Sequence, residues 1–218
     1  MTTRREAIKL LAAIFAGTGA IFVQIGTGLR SVLAETGKRV LPKGTPMHIL
    51  TGKNPANLDA SLLEVTPLNE FETMGTTKFS IAPHIWRLEV TGAVERPSTF
   101  SYLDLIARPA VERNVLLICP GFFAFNGRWK GVMVKDLLAA ATVKPGVTKV
   151  EFGGPNGPLE KTHRFPLEEA QSDRFLLAYH VNGDALPQKH GFPMRLVAEG
   201  HYGARWVKYV DRITAIAP

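Results

Sequence analysis

The stretch Val115-Leu116-Leu117-Ile118-Cys119-Pro120-Gly121-Phe122-Phe123 constrains the fold more than any other. A short unbroken apolar run of this kind is one buried strand, and it stops at the single cysteine of 218 residues. Proline removes a ladder donor and glycine permits a sharp turn, so Pro120 and Gly121 end the strand. The thiol is expected at a strand end, where a loop opens and a ligand can approach. Most free cysteines are inert core residues, so position alone leaves both roles open for Cys119.

One cysteine also excludes chemistry. The chain can form no intrachain disulfide, no Cys-x-x-Cys pair and no c-type haem attachment, and it cannot ligate an iron–sulfur cluster by itself. Neither haem nor cluster is expected in this chain, so electrons that reach it must be exchanged with a partner.

The amino terminus reads as an address. Thr3-Arg4-Arg5-Glu6-Ala7-Ile8-Lys9 precedes an apolar segment from Leu10 to Leu29, the layout of a twin-arginine export signal. Gly17, Gly19, Gln24, Gly26 and Gly28 dilute the segment, which suits a signal over residues 1–34, cut after Ala34. An uncleaved membrane anchor is the alternative, since about 20 apolar residues span a bilayer. The twin-arginine route exports folded, often cofactor-loaded proteins. Periplasmic location is expected, with membrane contact only through this segment if it is retained. Of the formal net charge of +7, the signal carries three units. The mildly basic remainder suits an anionic ligand such as a phosphate and falls short of a nucleic-acid footprint.

Residues 35–65 form an irregular lead-in, rich in Pro, Gly, Asn and Lys, expected on the surface of a domain spanning 66–218. Within that domain, Trp86–Gly92 alternates as a half-buried strand. Glu95-Arg96-Pro97 turns the chain, and Phe100 starts a return strand. Ser101 and Asp104 make a capping box for a short helix before Pro109. Asn126-Gly127 marks a tight turn and Trp129 re-enters the core. A helix follows over Lys135–Ala141, then a strand at Val150–Phe152 and a glycine-rich loop over Gly153–Pro158. That loop lacks the spacing of a phosphate loop. A short helix over Pro166–Ala170, a strand over Arg174–Val181 and a hairpin turn at Asn182-Gly183-Asp184 come next. The last section, from Gly200 through Lys208 to Ile216, mixes basic residues with glycines and aromatics, a composition suited to an anion.

Leu177-Ala178-Tyr179, Asn182-Gly183, Leu186-Pro187, His190-Gly191-Phe192-Pro193-Met194-Arg195-Leu196-Val197 and Tyr202-Gly203-Ala204-Arg205-Trp206-Val207-Lys208 occur in an order and spacing that are highly specific. With Cys119 and Trp129-Lys130-Gly131-Val132, they resemble the molybdopterin-binding domain of the sulfite oxidase family, over Thr66–Ile216. The resemblance implies an α+β fold of mixed twisted sheets with short helices around a cofactor cleft. It implies a molybdenum–molybdopterin cofactor with Cys119 as the metal ligand and catalytic residue. A soft thiolate suits that metal. By the same matching, His190 and Arg195 hold the pterin cofactor, Arg195 at its phosphate, and Trp206, Val207 and Lys208 close over the phosphate. Asn69, Glu72 and Thr73 match the early loop that meets the cofactor in the periplasmic methionine-sulfoxide reductase branch. Gly154 falls where that branch has a threonine contact, so only a backbone contact carries over.

Two departures from sulfite oxidases bear on function. Those enzymes carry arginines shortly after the cysteine and in the early loop. Here the first segment is Pro120-Gly121-Phe122-Phe123-Ala124-Phe125-Asn126 and the second Glu72-Thr73-Met74-Gly75. Three phenylalanines give an uncharged aromatic rim, which favours a neutral or amphipathic substrate over a dianion. The resemblance also stops short of the carboxy-terminal dimerisation domain of sulfite oxidases, which is not expected here. The reading is an exported molybdenum-cofactor oxidoreductase performing two-electron oxo transfer on a small-molecule or protein-bound oxo substrate. Reduction of a sulfoxide or similar compound is favoured over sulfite oxidation, with electrons exchanged through an external cytochrome or membrane haem protein. A non-catalytic cofactor carrier and a cofactor-free Cys/His hydrolase are the alternatives.

Overall fold

Strands that bury both faces read as continuous apolar runs, and the run ending at Cys119 is one of these. In the computed structural model, which describes residues 37–75, 79–155 and 162–218, it lies in a strand over Val111–Cys119. The expected signal, Thr76 and the glycine-rich loop beyond Pro155 lie outside the described residues. Residues 40–218 form one compact unit.

The elements, numbered from the first long strand, are β1 (Arg87–Gly92), β2 (Ser98–Ser101), α1 (Tyr102–Ile106), β3 (Val111–Cys119), β4 (Phe123–Met133) and α2 (Val134–Ala141). There follow β5 (Lys149–Gly153), β6 (His163–Pro166), α3 (Leu167–Ala170), β7 (Phe175–Val181), β8 (Asp184–Ala185), β9 (Arg195–Ala198) and β10 (Arg212–Ile216). They build two five-stranded sheets. One runs β8-β7-β4-β3, with β9 also paired to β7; the other runs β2-β1-β10-β5-β6. The pairing of β10 with β1 is parallel, while its pairing with β5 is antiparallel. Mixed sheets with a few short helices give the α+β architecture expected. Among the described residues, no helix is long and apolar enough to cross a membrane.

Local chemistry accounts for the element ends. Both halves of the Ser101–Asp104 capping box form at the start of α1. Asn182 and Gly183, at φ 57° and 94°, make the hairpin between β7 and β8, as the Asn-Gly pair predicts. Between β3 and β4 the Phe122 N–H donates to the Cys119 carbonyl at 3.0 Å. Gly121 has φ +77°. Proline at the second position and a left-handed glycine at the third are what such a turn requires.

One expectation needs correction. Asn126-Gly127 is not a turn, because both residues sit inside β4, paired with Leu116 and Val115. Asn126 is there because its amide reaches the Leu63 and Glu64 carbonyls, and Gly127 because a Cβ would come within 2.9 Å of the Trp129 ring. The lead-in is irregular and mostly exposed, as expected, but it also has a packing role. Leu41, Leu50 and Leu63 form a buried cluster with Leu116 and Ile118. Side chains alternate along a strand, so Leu116 and Ile118 share one face of β3, covered by the lead-in. Val115 and Leu117 face the main core. That double cover explains the unbroken apolar run. It also leaves Cys119 on the face of Leu117, pointing away from the lead-in.

Candidate active site

Cys119 is half-buried and opens onto a cavity of about 450 Å³. Three segments form its walls. The end of β3 and the following turn contribute Leu117, Cys119, Pro120, Phe122 and Phe123; the early loop contributes Glu72 to Gly75; the late segment contributes Gly203, Ala204, Trp206, Val207 and Lys208, with Arg195 behind them.

Each wall is positioned by identifiable packing. Phe123 is the register partner of Cys119, and Phe125 that of Leu117. Phe71 stacks on Phe125 at 4.0 Å between ring centres and meets His190 edge-on at 5.8 Å. This aromatic column fixes the early loop from its first residue. The late segment runs beside β9: Leu196 donates to the Val207 carbonyl at 2.8 Å, and Val210 to that of Met194 at 2.8 Å. Gly191, at φ +109°, permits this approach, because a Cβ there would lie 3.0 Å from the Lys208 Cα.

Arg195 is buried. Its guanidinium carbon lies 5.6 Å from the ring centres of both Trp129 and Trp206, within cation–π range. Nη1 donates to the His190 carbonyl at 2.9 Å, and Nε, also buried, meets no acceptor among the described residues. Burial pulls the guanidinium down to about 10, so it remains charged at neutral pH. His190 is fully buried, and neither ring nitrogen has a hydrogen-bond partner among the described residues. Burial, followed by the nearby Arg195, Lys189 and Lys208 cations, lowers its pKa to about 3. The imidazole is neutral, with one donor and one acceptor. Lys208 donates from Nζ to Thr73 Oγ1 at 3.3 Å and to the Met74 carbonyl at 3.0 Å.

Of the ten candidate residues, Glu72, Thr73, Cys119, Arg195, Trp206, Val207 and Lys208 line the cavity. His190 and Gly154 stand behind the lining. His190 is tied to Arg195, and a Cβ on Gly154 would lie 2.8 Å from the Lys208 carbonyl oxygen. Asn69 is exposed on a 3-10 turn and is not brought to the cavity. The aromatic rim is smaller than expected. Phe122 is 67 % exposed and Phe123 lines the cavity, but Phe125 is core, held by its stacking on Phe71. Phe71 and Trp129 organise the site, and sequence reasoning missed their part in it. The signal available was their aromatic character beside candidate residues, which reads equally well as core.

Buried polar atoms in native proteins nearly always find partners. Here orphaned nitrogens of His190 and Arg195 stand behind a cavity that carries a thiol and a cation. Such a set fits a heterocyclic cofactor with an anionic tail and a thiophilic metal. A match to the family described as oxidoreductase molybdopterin binding domain spans residues 74–217, including every cavity residue from Met74 onward. The chain belongs to that family. It therefore carries an oxidoreductase molybdopterin-binding domain over those residues.

Family relatives span several activities. An NADH nitrate reductase of Brassica napus is 30% identical over 86% of this chain, which covers 25% of that protein. The protein-methionine-sulfoxide reductase catalytic subunit MsrP of Gluconobacter oxydans is 29% identical over 69% of the chain and 55% of its own length. Among solved structures, the sulfane dehydrogenase SoxCD of Paracoccus pantotrophus superposes with a TM-score of 0.59 at 29% identity, covering 63% of this chain and 39% of that one. The chain thus spans about a quarter to just over half of these curated relatives.

Proposed function

We propose that this chain is an exported oxidoreductase that reduces a sulfoxide or similar oxo compound, taking electrons from an external haem protein. Its overall reaction would consume two electrons and two protons and release the deoxygenated substrate and water. The bound molybdenum cofactor would supply the two-electron oxo-transfer chemistry.

The protein's own groups would bind and orient. Cys119 would hold the metal through its thiolate. His190 would pair its neutral ring nitrogens with cofactor heteroatoms, and Arg195 and Lys208 would hold the anionic tail, with Trp206 and Val207 shaping that wall. Glu72 and Thr73 would meet the cofactor from the early loop, and Gly154 would keep the Lys208 backbone in place. Asn69, exposed here, has the weakest support of the ten. Export rests on the twin arginines and apolar segment of residues 1–34, and periplasmic location follows from it. An external haem partner is proposed because the single cysteine cannot hold a redox centre of the haem c or cluster type.

One observation carries the choice of substrate class. The segment that carries Cys119 lines the cavity with Pro120, Phe122 and Phe123, while the cavity's described cations, Arg195 and Lys208, come from other segments. That segment offers apolar surface suited to a neutral substrate. The similarity to MsrP agrees with this reading. Among the described residues no histidine lines the cavity, which disfavours a Cys/His hydrolase. Electrochemically reduced viologen, offered to cofactor-loaded protein with an aryl methyl sulfoxide, with nitrate or alone, tests the proposal. Sulfoxide-dependent oxidation of the dye is expected. Turnover of nitrate only, or of sulfite only in the reverse direction with an artificial oxidant, would contradict it.

A further inference from the structure

Behind the late segment stands a polar pair that takes no part in lining the cavity. His201 Nε2 lies 2.7 Å from Oε2 of Glu169, a residue of α3. A carboxylate only accepts, so the imidazole donates from Nε2. The two side chains are 17 % and 29 % exposed, and a hydrogen bond to a charged group gains strength where water is scarce. The ring is also held on its flanks, edge-on to Phe165 of β6 at 5.0 Å and to Phe175 of β7 at 5.9 Å. Those phenylalanines are buried, belong to different sheets and meet each other at 4.8 Å. The core where the two sheets join thus fixes the His201 side chain.

Through its side chain the core also fixes the His201 backbone. The His201 N–H donates to the carbonyl of Ala198, the last residue of β9, at 3.1 Å. Gly200, at φ +85°, makes the turn between them, a conformation that suits glycine. The His201 carbonyl then accepts from the Trp206 indole Nε1 at 3.1 Å. An indole N–H can only donate, and Trp206 is buried at 4 % exposure, so this carbonyl selects one orientation of the ring. In that orientation Trp206 lines the cavity, meets Trp129 edge-on at 5.6 Å and lies 5.6 Å from the Arg195 guanidinium carbon. We propose that the Glu169–His201 pair is a positioning device for the cofactor wall: it holds the His201 carbonyl under the Trp206 indole and so sets the surface that Trp206 and Arg195 present to the cofactor. Glu169 and His201 are positioning residues, acting from outside the cavity. This rests on the proposed cofactor-holding roles of Trp206 and Arg195, but one of its two readouts requires no cofactor.

The chain has three tryptophans, so protein labelled with nitrogen-15 at the indole gives three N–H signals, and Trp206→Phe assigns the one that matters. Full chain is prepared from cells unable to make the cofactor for these spectra, and from cofactor-producing cells for molybdenum and pterin content. Glu169→Met and His201→Phe break the pair from either side, and His201→Gln keeps a donor of similar reach. Both breaking variants should move the Trp206 indole proton upfield, as a lengthened hydrogen bond does, with the Trp86 signal unmoved. The same variants should carry severalfold less molybdenum per chain, and His201→Gln should stay near wild type on both measures. A melting curve for each variant verifies folding. An unmoved Trp206 signal in folded Glu169→Met and His201→Phe would overturn the relay from the pair to the indole. A moved signal with undiminished molybdenum would overturn its role in holding the cofactor. Wild type empty of molybdenum would overturn that role together with the reading it rests on, and the indole signals would still decide the relay.

Discussion

Arg195 donates from Nη1 to the carbonyl of His190 at 2.9 Å, so one hydrogen bond sets the two buried nitrogen-bearing groups behind the cavity relative to each other. The neighbours differ in charge state for one shared physical reason. Burial disfavours the charged form of each. The guanidinium, pulled down to about 10, still holds its proton at neutral pH, while the imidazole, lowered from 6.5 to about 3, does not.

The depressed histidine predicts a pH dependence of stability with a definite sign. As pH falls below 6.5 the unfolded chain takes up a proton that the folded chain refuses until about 3. Stability from this group is complete above 6.5 and declines as pH drops, by at most about 1.4 kcal/mol per pH unit. Urea denaturation of cofactor-free protein between pH 7 and 4 should show a shallower decline in His190→Gln than in wild type. Parallel curves would mean that His190 titrates normally.

Arg195→Lys should not behave as a conservative change. A lysine cannot reproduce a planar group within cation–π range of both Trp129 and Trp206, and it would bring a more strongly hydrated charge into a buried position. A loss of about 2 kcal/mol or more is expected. The uncharged Arg195→Met should fold at least as stably as Arg195→Lys yet fail to retain the cofactor. Thermal melts paired with pterin fluorescence after denaturation measure both effects.

How far the sequence carried these conclusions varied with the physics of each element. The α1 capping box, the Asn182-Gly183 hairpin and the strand ending at Cys119 were legible because their determinants are local. Asn126-Gly127 was not. The same dipeptide that favours a turn is held in β4 by partners about 60 residues away in sequence, Leu63, Glu64 and Thr66. The lead-in's role was hidden for a similar reason, since Leu41, Leu50 and Leu63 show no periodicity and acquire meaning only against Leu116 and Ile118. At the site, the strand-end position drew attention to Cys119, and the family resemblance to His190, Arg195 and Lys208. The Phe71–Phe125 stack that fixes the early loop is a tertiary contact with no sequence pattern.

Gly154 is a packing requirement in this chain. A methyl group there would meet the carbonyl oxygens of Lys208 at 2.8 Å and Tyr209 at 3.0 Å, both backbone atoms that cannot rotate aside. Gly154→Ala should cost about 1–3 kcal/mol, and Gly154→Thr more. Denaturant midpoints give the cost. A neutral substitution would show that this backbone approach is looser than described.

Phe122 should matter to substrate and hardly at all to stability. At 67 % exposure its replacement by alanine should change folding free energy by no more than about 0.5 kcal/mol. It should raise KM for an aryl sulfoxide severalfold, with a smaller effect on a small dialkyl sulfoxide that lacks a ring to rest on it. Steady-state kinetics with the two substrates distinguish this from a general loss of activity, which would lower kcat for both.

The central claim is that Cys119 anchors a molybdenum cofactor in a folded oxidoreductase, and metal analysis of full chain purified from cofactor-producing cells tests it most directly. Near-stoichiometric molybdenum in wild type, lost in Cys119→Ser while cofactor-free wild type and Cys119→Ser melt within a few degrees of each other, is the predicted result. Well-folded wild type without molybdenum, or Cys119→Ser that retains it undiminished, would contradict the claim.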